Sequence, residues 1–326
     1  MKKILLIISI LSIILLISCT SNIQNNDDIE YKQSMRDFVE RISEYSKNIN
    51  PNFIIIPQNG HNLITKNGEI DSIVNANYLN AIDGLGREDL FYGYSRDNLK
   101  TQGTETFSMI AFLNLAKEHN ITILVTDYCS DTSFVDDSYI QNHNLGYISF
   151  AADSRGLDTI PTYPLTPYNV NDKDIISLSN ARNFLYLINP DLYDDKEDYL
   201  NALILTDYDV LIIDLFFNDG SILTSDEIES LKMKTNGGKR LVIAYMSIGE
   251  AEDYRYYWKE EWNNNQPSWL VEENPNWEGN YKVKYWQDNW QYIILGSEES
   301  YLDKIINANF DGVYLDIIDA FEYFEN

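Results

Sequence analysis

Four apolar runs of this sequence give way to carboxylates. Val125-Thr126 is followed by Asp127, Ile212-Ile213 by Asp214, and Leu315 by Asp316 with Asp319 close behind; the run through Tyr245 and Met246 leads to Glu250. Short runs that are apolar on both faces suit buried parallel strands. In a parallel α/β barrel the C-terminal strand ends converge on one face. Acids collected there are equipped for general acid/base and nucleophilic chemistry at a glycosidic bond. Asp also caps and turns wherever a strand becomes a loop, so any one of these acids carries little weight and the set carries more.

The densest charged segment is MSIGEAEDYRYYW, residues 246–258, with Glu250, Glu252, Asp253 and Arg255 directly after an apolar run. Arg255 is placed to fork onto a carboxylate and hold it, and acids beside a cation stay ionised. All six tryptophans fall between Trp258 and Trp290, interleaved with tyrosines. Aromatic faces stack on the apolar faces of sugar rings; they also staple long loops, so most are expected to be structural and one or two to line a groove. The three histidines, His61, His119 and His143, have no ligand spacing, and no P-loop, G-x-G-x-x-G or G-x-S-x-G occurs.

The elements that must position these residues alternate. Apolar runs at 53–56, 121–125, 184–188, 210–213, 241–246 and 312–315 read as strands, with two weaker candidates near 81–92 and 290–295. Between them, Met35, Phe38, Val39, Ile42 and Tyr45 share one helical face, as do Tyr199, Leu200, Leu203 and Ile204, and Tyr301, Leu302, Ile305 and Ile306. Thr224 or Ser225 is a cap for the helix that follows, and Gly237-Gly238 its end. Alternation over this length predicts an α/β fold, either an eight-stranded barrel or a doubly wound sheet, the latter with its crevice at a topological switch point. Residues 151–182, with Pro161, Pro164 and Pro167, read as a linker between domains or as a long surface crossover within one.

The chain has 326 residues and a formal net charge of −27. Its apolar and aromatic content excludes a disordered chain, and its acidity argues against general nucleic-acid binding. Two cysteines exclude a disulfide framework. Lys2 and Lys3, the apolar run Ile4–Ile17 and Leu16-Ile17-Ser18-Cys19 form a signal peptide over residues 1–18 with a bacterial lipobox; a plain secretory signal or membrane anchor is the alternative. Cys19 is then the lipidated residue, and residues 19–30 a polar tether that holds the protein on the cell envelope outside the cytoplasm.

SIGEAEDYR, together with GNYKVKYW (279–286), FDGVYLDIIDAFEYF (310–324), IIPQNG (55–60), GREDLFYG (86–93) and VTDY (125–128), resembles glycoside hydrolase family 114, the endo-α-1,4-polygalactosaminidase-like family. The likeness runs from about residue 31 to 326. It implies one (β/α)8 TIM barrel, no cofactor, and hydrolysis of a cationic amino-sugar polymer by an endo-acting, two-carboxylate mechanism in a monomer. It implies Asp316 as nucleophile and Glu88 as general acid/base. Gln58, Asn59, Asp127, Asp214, Tyr245, Glu250, Asp253, Arg255 and Asp319 would then shape the sugar subsites. The blocks stand in a different order from the family's, PQNG and EDLFY before SIGEAEDYR and GVYLD. That order implies a circular permutation with its junction near 151–182, in a monomer or in two half-domains paired between copies. A glycan-binding surface lipoprotein without hydrolysis is the competing expectation.

Overall fold

The computed structural model describes residues 30–325; the signal, Cys19 and nearly all of the tether lie outside the described residues. Eight parallel strands carry the fold: β1 (Ile54–Pro57), β2 (Gly84–Glu88), β3 (Thr122–Tyr128), β4 (Ile148–Ala152), β5 (Leu185–Leu187), β6 (Val210–Ile213), β7 (Leu241–Ser247) and, after three short strands, β11 (Gly312–Asp316). The three between are β8 (Glu250–Glu252), β9 (Leu270–Glu273) and β10 (Asn280–Val283), an antiparallel sheet in the order β8-β10-β9.

The parallel strands form two hydrogen-bonded sheets, β5-β6-β7-β11-β1 and β2-β3-β4. A single parallel bridge, Gln58 to Gly86, joins β1 to β2. On the far side, β4 and β5 have no ladder between them among the described residues, although the Phe150 and Phe184 rings meet across that seam at 5.8 Å. The architecture is α/β with parallel sheets flanked by helices, and its ring of hydrogen bonds is not closed. Strand interiors are buried on both faces, as their unbroken apolar runs require.

The helices are α1 (Tyr31–Ile49), α2 (Ala76–Ala81), α3 (Gly103–Glu118), α4 (Thr132–Leu145), α5 (Lys196–Ile204), α6 (Ser225–Leu231), α7 (Asp288–Ile294), α8 (Tyr301–Asn307) and α9 (Phe321–Glu325). Met35, Phe38, Val39 and Ile42 of α1 are buried, and so are Tyr199, Leu200 and Leu203 of α5 and Tyr301, Leu302 and Ile305 of α8. Thr224 and Glu227 close a capping box on α6. That helix stops at Leu231, and Gly237 serves the following turn instead. No described helix is long and apolar enough to cross a membrane.

Two sequence expectations change. Residues 290–295 are not a strand but most of α7, where Trp290 and Ile294, one helical turn apart, are buried and Tyr292 is exposed. The eighth parallel strand is β4, whose sequence ISFAA, with Ser149 and two alanines, is too small in its side chains to stand out as an apolar run. The segment 153–182 crosses the surface with only a 3-10 turn, Leu178–Asn180. It is pinned where Tyr168 stacks on Tyr139 at 4.8 Å, where Asn171 reaches Asp209 at 2.9 Å, and where the Ile175 amide donates to Lys239 at 3.0 Å.

Candidate active site

Glu88 ends β2 and Asp316 ends β11, and β1 runs between those two strands. With adjacent strands about 4.8 Å apart, the two carboxyls enter one cleft from either side of β1. The turn after β1 supplies their partners. Asn59, with φ 63°, donates from Nδ2 to Glu88 Oε2 at 3.0 Å and accepts from the Glu88 amide at 3.2 Å. The Tyr128 hydroxyl, from the end of β3, donates to the other Glu88 oxygen. Gln58 is buried and accepts from the Tyr186 hydroxyl at 2.9 Å.

Asp316 accepts from the Tyr245 hydroxyl at 2.9 Å and from the Ile317 amide at 2.8 Å. Ile317 stands at φ 57°, a left-handed conformation that a β-branched residue rarely adopts. Gly249 lies against it: a Cβ at Gly249 would run into the Ile317 carbonyl oxygen. Burial, then the Glu88 charge, pushes the Asp316 carboxyl up to about 8, against the Ile317 and Tyr245 hydrogen bonds. Asp319 is pushed up to about 6, by burial first and then by Glu322, with Arg87 pulling the other way. The two-carboxyl mechanism needs one protonated and one ionised carboxyl, and burial leaves the Asp316 carboxyl protonated at neutral pH.

The opposite wall comes from β6 and the SIGEAEDYR segment. Arg255 forks onto Asp214 at 2.9 and 2.7 Å and onto Glu252 at 2.6 and 3.2 Å. Burial works against the guanidinium charge, and the Asp214 and Glu252 carboxylates outweigh it. Glu250 accepts from Asn274 at 2.8 Å and lies 3.6 Å from the Lys282 ammonium. Trp277, 51% exposed, and Tyr254, 61% exposed, stand at the rim, so their faces are open to a ligand.

The cleft encloses about 270 Å³ and opens beside Asp214 and Trp277 into a second hollow of about 540 Å³. Six carboxyls line it (Glu88, Asp214, Glu250, Glu252, Asp316 and Asp319) against the two guanidiniums of Arg155 and Arg255. Among the described residues, no group of three or more His, Cys, Asp or Glu is arranged to hold a metal ion.

Ten of the residues singled out in the sequence meet here: Gln58, Asn59, Glu88, Asp214, Tyr245, Glu250, Glu252, Arg255, Asp316 and Asp319. Asp127 does not. It is fully buried behind β3, accepting from the Phe91 and Tyr92 amides at 2.8 and 3.2 Å, from Ser138 at 2.7 Å and from Asn142 at 3.2 Å. It thereby holds the loop that follows Glu88. Asp253 is exposed outside the cleft, one residue past the end of β8, whose Glu250 and Glu252 line it. Alternation along a strand was the available signal for Tyr128: in VTDY, the residue beside the acid faces the cleft. Arg155 had no sequence signal. It reaches in from the loop after β4, pairs with Asp89 at 2.8 Å, and lies 4.0 Å over the Tyr128 ring.

Comparison with known proteins adds the following. Residues 172–326 match the model described as glycoside-hydrolase family GH114. The chain is 42% identical over 182 residues to an uncharacterized protein of Methanocaldococcus jannaschii, covering 54% of this chain and 49% of that protein. It is 47% identical over 116 residues to an uncharacterized protein of Thermotoga maritima, covering 36% and 34%, and 39% identical over 127 residues to one of Deinococcus radiodurans, covering 39% and 38%. The chain thus spans half or less of the length of these relatives.

Proposed function

We propose that the chain is a member of glycoside-hydrolase family GH114, whose model matches residues 172–326, and that its cleft hydrolyses an amino-sugar polysaccharide of the α-1,4-linked galactosamine class, cutting within the chain. The observation that carries this reading is the meeting of Glu88 and Asp316 in one acid-lined cleft, with the Asp316 carboxyl held near 8. Glu88 donates a proton to the leaving glycosidic oxygen while the ionised Asp316 attacks the anomeric carbon; water then completes hydrolysis with Glu88 as base. In the free cleft Asp316 is protonated at neutral pH. A sugar ammonium entering beside it lowers its pKa and frees the nucleophile. Gln58, Asn59, Tyr245, Asp214, Glu250, Arg255 and Asp319 orient the sugar rings, and the excess of carboxyls attracts a cationic polymer.

The wider reading is a single TIM barrel over residues 31–326, read from a different starting strand than the family and acting as a monomer. Three features support it. The eight parallel strands follow one order around the sheets. The Tyr31 and Phe324 rings stack at 5.5 Å, so the two ends of the described chain are neighbours. The family match occupies only the second half of the chain. The lipid anchor at Cys19 and the envelope location rest on residues 1–30 of the sequence.

The test is incubation of the protein lacking the segment through Cys19 with partly deacetylated galactosamine and glucosamine polymers, with product masses as readout. A ladder of galactosamine oligomers that vanishes in Asp316→Asn is expected. A glycan-binding role without hydrolysis has one observation in its favour, that a protonated Asp316 is a poor nucleophile. Tight binding with no product from the parent protein would establish that reading instead.

A further inference from the structure

The tryptophan-rich segment builds a second hollow outside the catalytic cleft. Tyr256, Tyr257, Trp258, Trp262, Trp269 and Tyr292 line a space of about 600 Å³. Its floor is structural: Trp262 and Trp269 are buried and meet edge to face at 5.1 Å, and Trp258 stands edge to face on Trp262 at 5.3 Å. Tyr292, 59% exposed, is the open wall; Tyr256, 41% exposed, stacks on Phe216 at 5.6 Å and offers the hollow only part of its ring. Rings left open to water around a concave, polar-rimmed site mark a place where something binds. Tyr256 also lines the hollow that opens from the catalytic cleft beside Trp277, so one ring forms the ridge between the two spaces. The hollow is therefore continuous with the path a polymer would take out of the cleft.

Its chemistry differs from that of the cleft. The cleft sets six carboxyls against two guanidiniums, whereas this hollow carries one ammonium, Lys259, and one carboxyl, Glu299, with Asn289 and Ser297 as neutral hydrogen-bonding groups. Aromatic faces with balanced charge suit an uncharged pyranose, whose C–H face stacks on a ring while its substituents reach polar groups. We propose that this hollow is a second saccharide-binding platform, taking uncharged, N-acetylated hexosamine units of the same chain whose cationic units occupy the cleft. This rests on the amino-sugar reading of the cleft.

The test measures binding without turnover, in the full chain carrying Asp316→Asn, by calorimetry. One probe is a partly N-acetylated galactosamine polymer, and the other a short, fully deacetylated oligomer that fills the cleft alone. Tyr292→Ala, at an exposed position on α7, and Trp258→Ala are added in turn. A lost stacking contact weakens polymer binding by up to roughly tenfold, with oligomer binding unchanged. Polymer binding left intact by both substitutions overturns the platform. So does an equal loss for polymer and oligomer, which would make the rings props for the cleft. If the Asp316→Asn parent binds neither probe, the amino-sugar reading of the cleft falls first and the platform with it.

Discussion

A carboxyl that burial and a neighbouring Glu88 push up to about 8 keeps its proton at neutral pH, and this sets how Asp316 will appear in a pH profile. The dependence of kcat/KM reports the free enzyme. In the two-carboxyl mechanism the reactive state keeps one proton on the pair, so kcat/KM falls as pH passes through about 8, where that proton leaves; a kcat/KM that keeps rising through 8 would show that the pair's proton is not needed. Glu88→Gln removes the second cause of the shift, so the Asp316 titration moves to lower pH, readable from carboxyl chemical shifts even in an inactive variant. An unmoved titration would disprove the coupling between the two acids. Stability follows from the same shift. Asp316 goes from an ordinary 3.8 in the unfolded chain to about 8 when folded, so between those values the folded state binds more proton. Stability contributed by the protonated form is present below about 4 and is lost as pH rises through about 8. Asp316→Asn is therefore expected to melt higher than the parent at pH 8, with the two converging below pH 4; equal melting temperatures at both pH values would contradict this. Both carboxyls of the pair stand out in the sequence, one in GVYLD and one in REDLFY. Asp127 misleads because composition alone does not say which of two adjacent strand residues faces in.

At the scale of elements, acids at the two ends of the strands do different work, with Asp127, buried near the end of β3, the exception at the C-terminal ends. Asp83, Asp209 and Asp311 each precede a parallel strand, and each accepts a backbone amide from a neighbouring segment: Ile55 at 2.9 Å, Arg182 at 2.8 Å and Val242 at 2.8 Å. Each also pairs with a lysine, Lys47, Lys234 or Lys232 respectively. These acids lock strand register at the N-terminal ends, and the acids at the C-terminal ends are left for chemistry. Sequence shows both kinds as Asp beside an apolar run, and only the direction of the strand separates them. The strands themselves were legible where they were runs of large or β-branched apolar residues, as in β3, β6 and β7. The short ISFAA strand and the helix at Asp288–Ile294 were not, because brief apolar runs carry no period that tells helix from strand. The turn from β7 to β8 carries the sharpest element-scale prediction. Gly249 abuts the Ile317 carbonyl, and Ile317 positions Asp316. Gly249→Ala forces that turn away from the end of β11. The expected cost is about 1–3 kcal/mol of stability, typical of overpacking, together with a fall in kcat out of proportion to it. Denaturation and rate measurements on one preparation check both. A variant that loses stability but keeps its full kcat would show that the strained Ile317 does not position Asp316.

Over the whole molecule, the first and last described helices lie together. Tyr31 stacks on Phe324, Lys32 pairs with Glu325, and α1 packs on α9. The surface segment 153–182, by contrast, is tied down on both sides of a bare stretch. Arg155 holds its start to Asp89 and Asp97, and Asn171, Asp174 and Ile175 hold its end to Asp209 and Lys239. Leu165, between those anchors, is 95% exposed. A ring of strands whose chain ends meet is indifferent to where the backbone is cut, provided the new ends fall in an exposed segment and the old ends are joined without strain. This yields a direct test of the permuted-barrel proposal. The chain is opened between Leu165 and Thr166, and residue 325 is joined to residue 31 by a short flexible linker, which restores the block order SIGEAEDYR, GVYLD, PQNG, EDLFY. The rearranged protein is expected to be monomeric and to melt within a few degrees of the chain of residues 31–326. It is also expected to keep the Asp316 titration near 8, since Glu88 and Asp316 still flank β1. Loop-closure entropy changes only slowly with loop length, so trading one crossover for one short linker costs little. A rearranged chain that folds only as a dimer would show that the two strand groups close across copies, and one that melts far lower would show that the crossover is an integral brace of the fold.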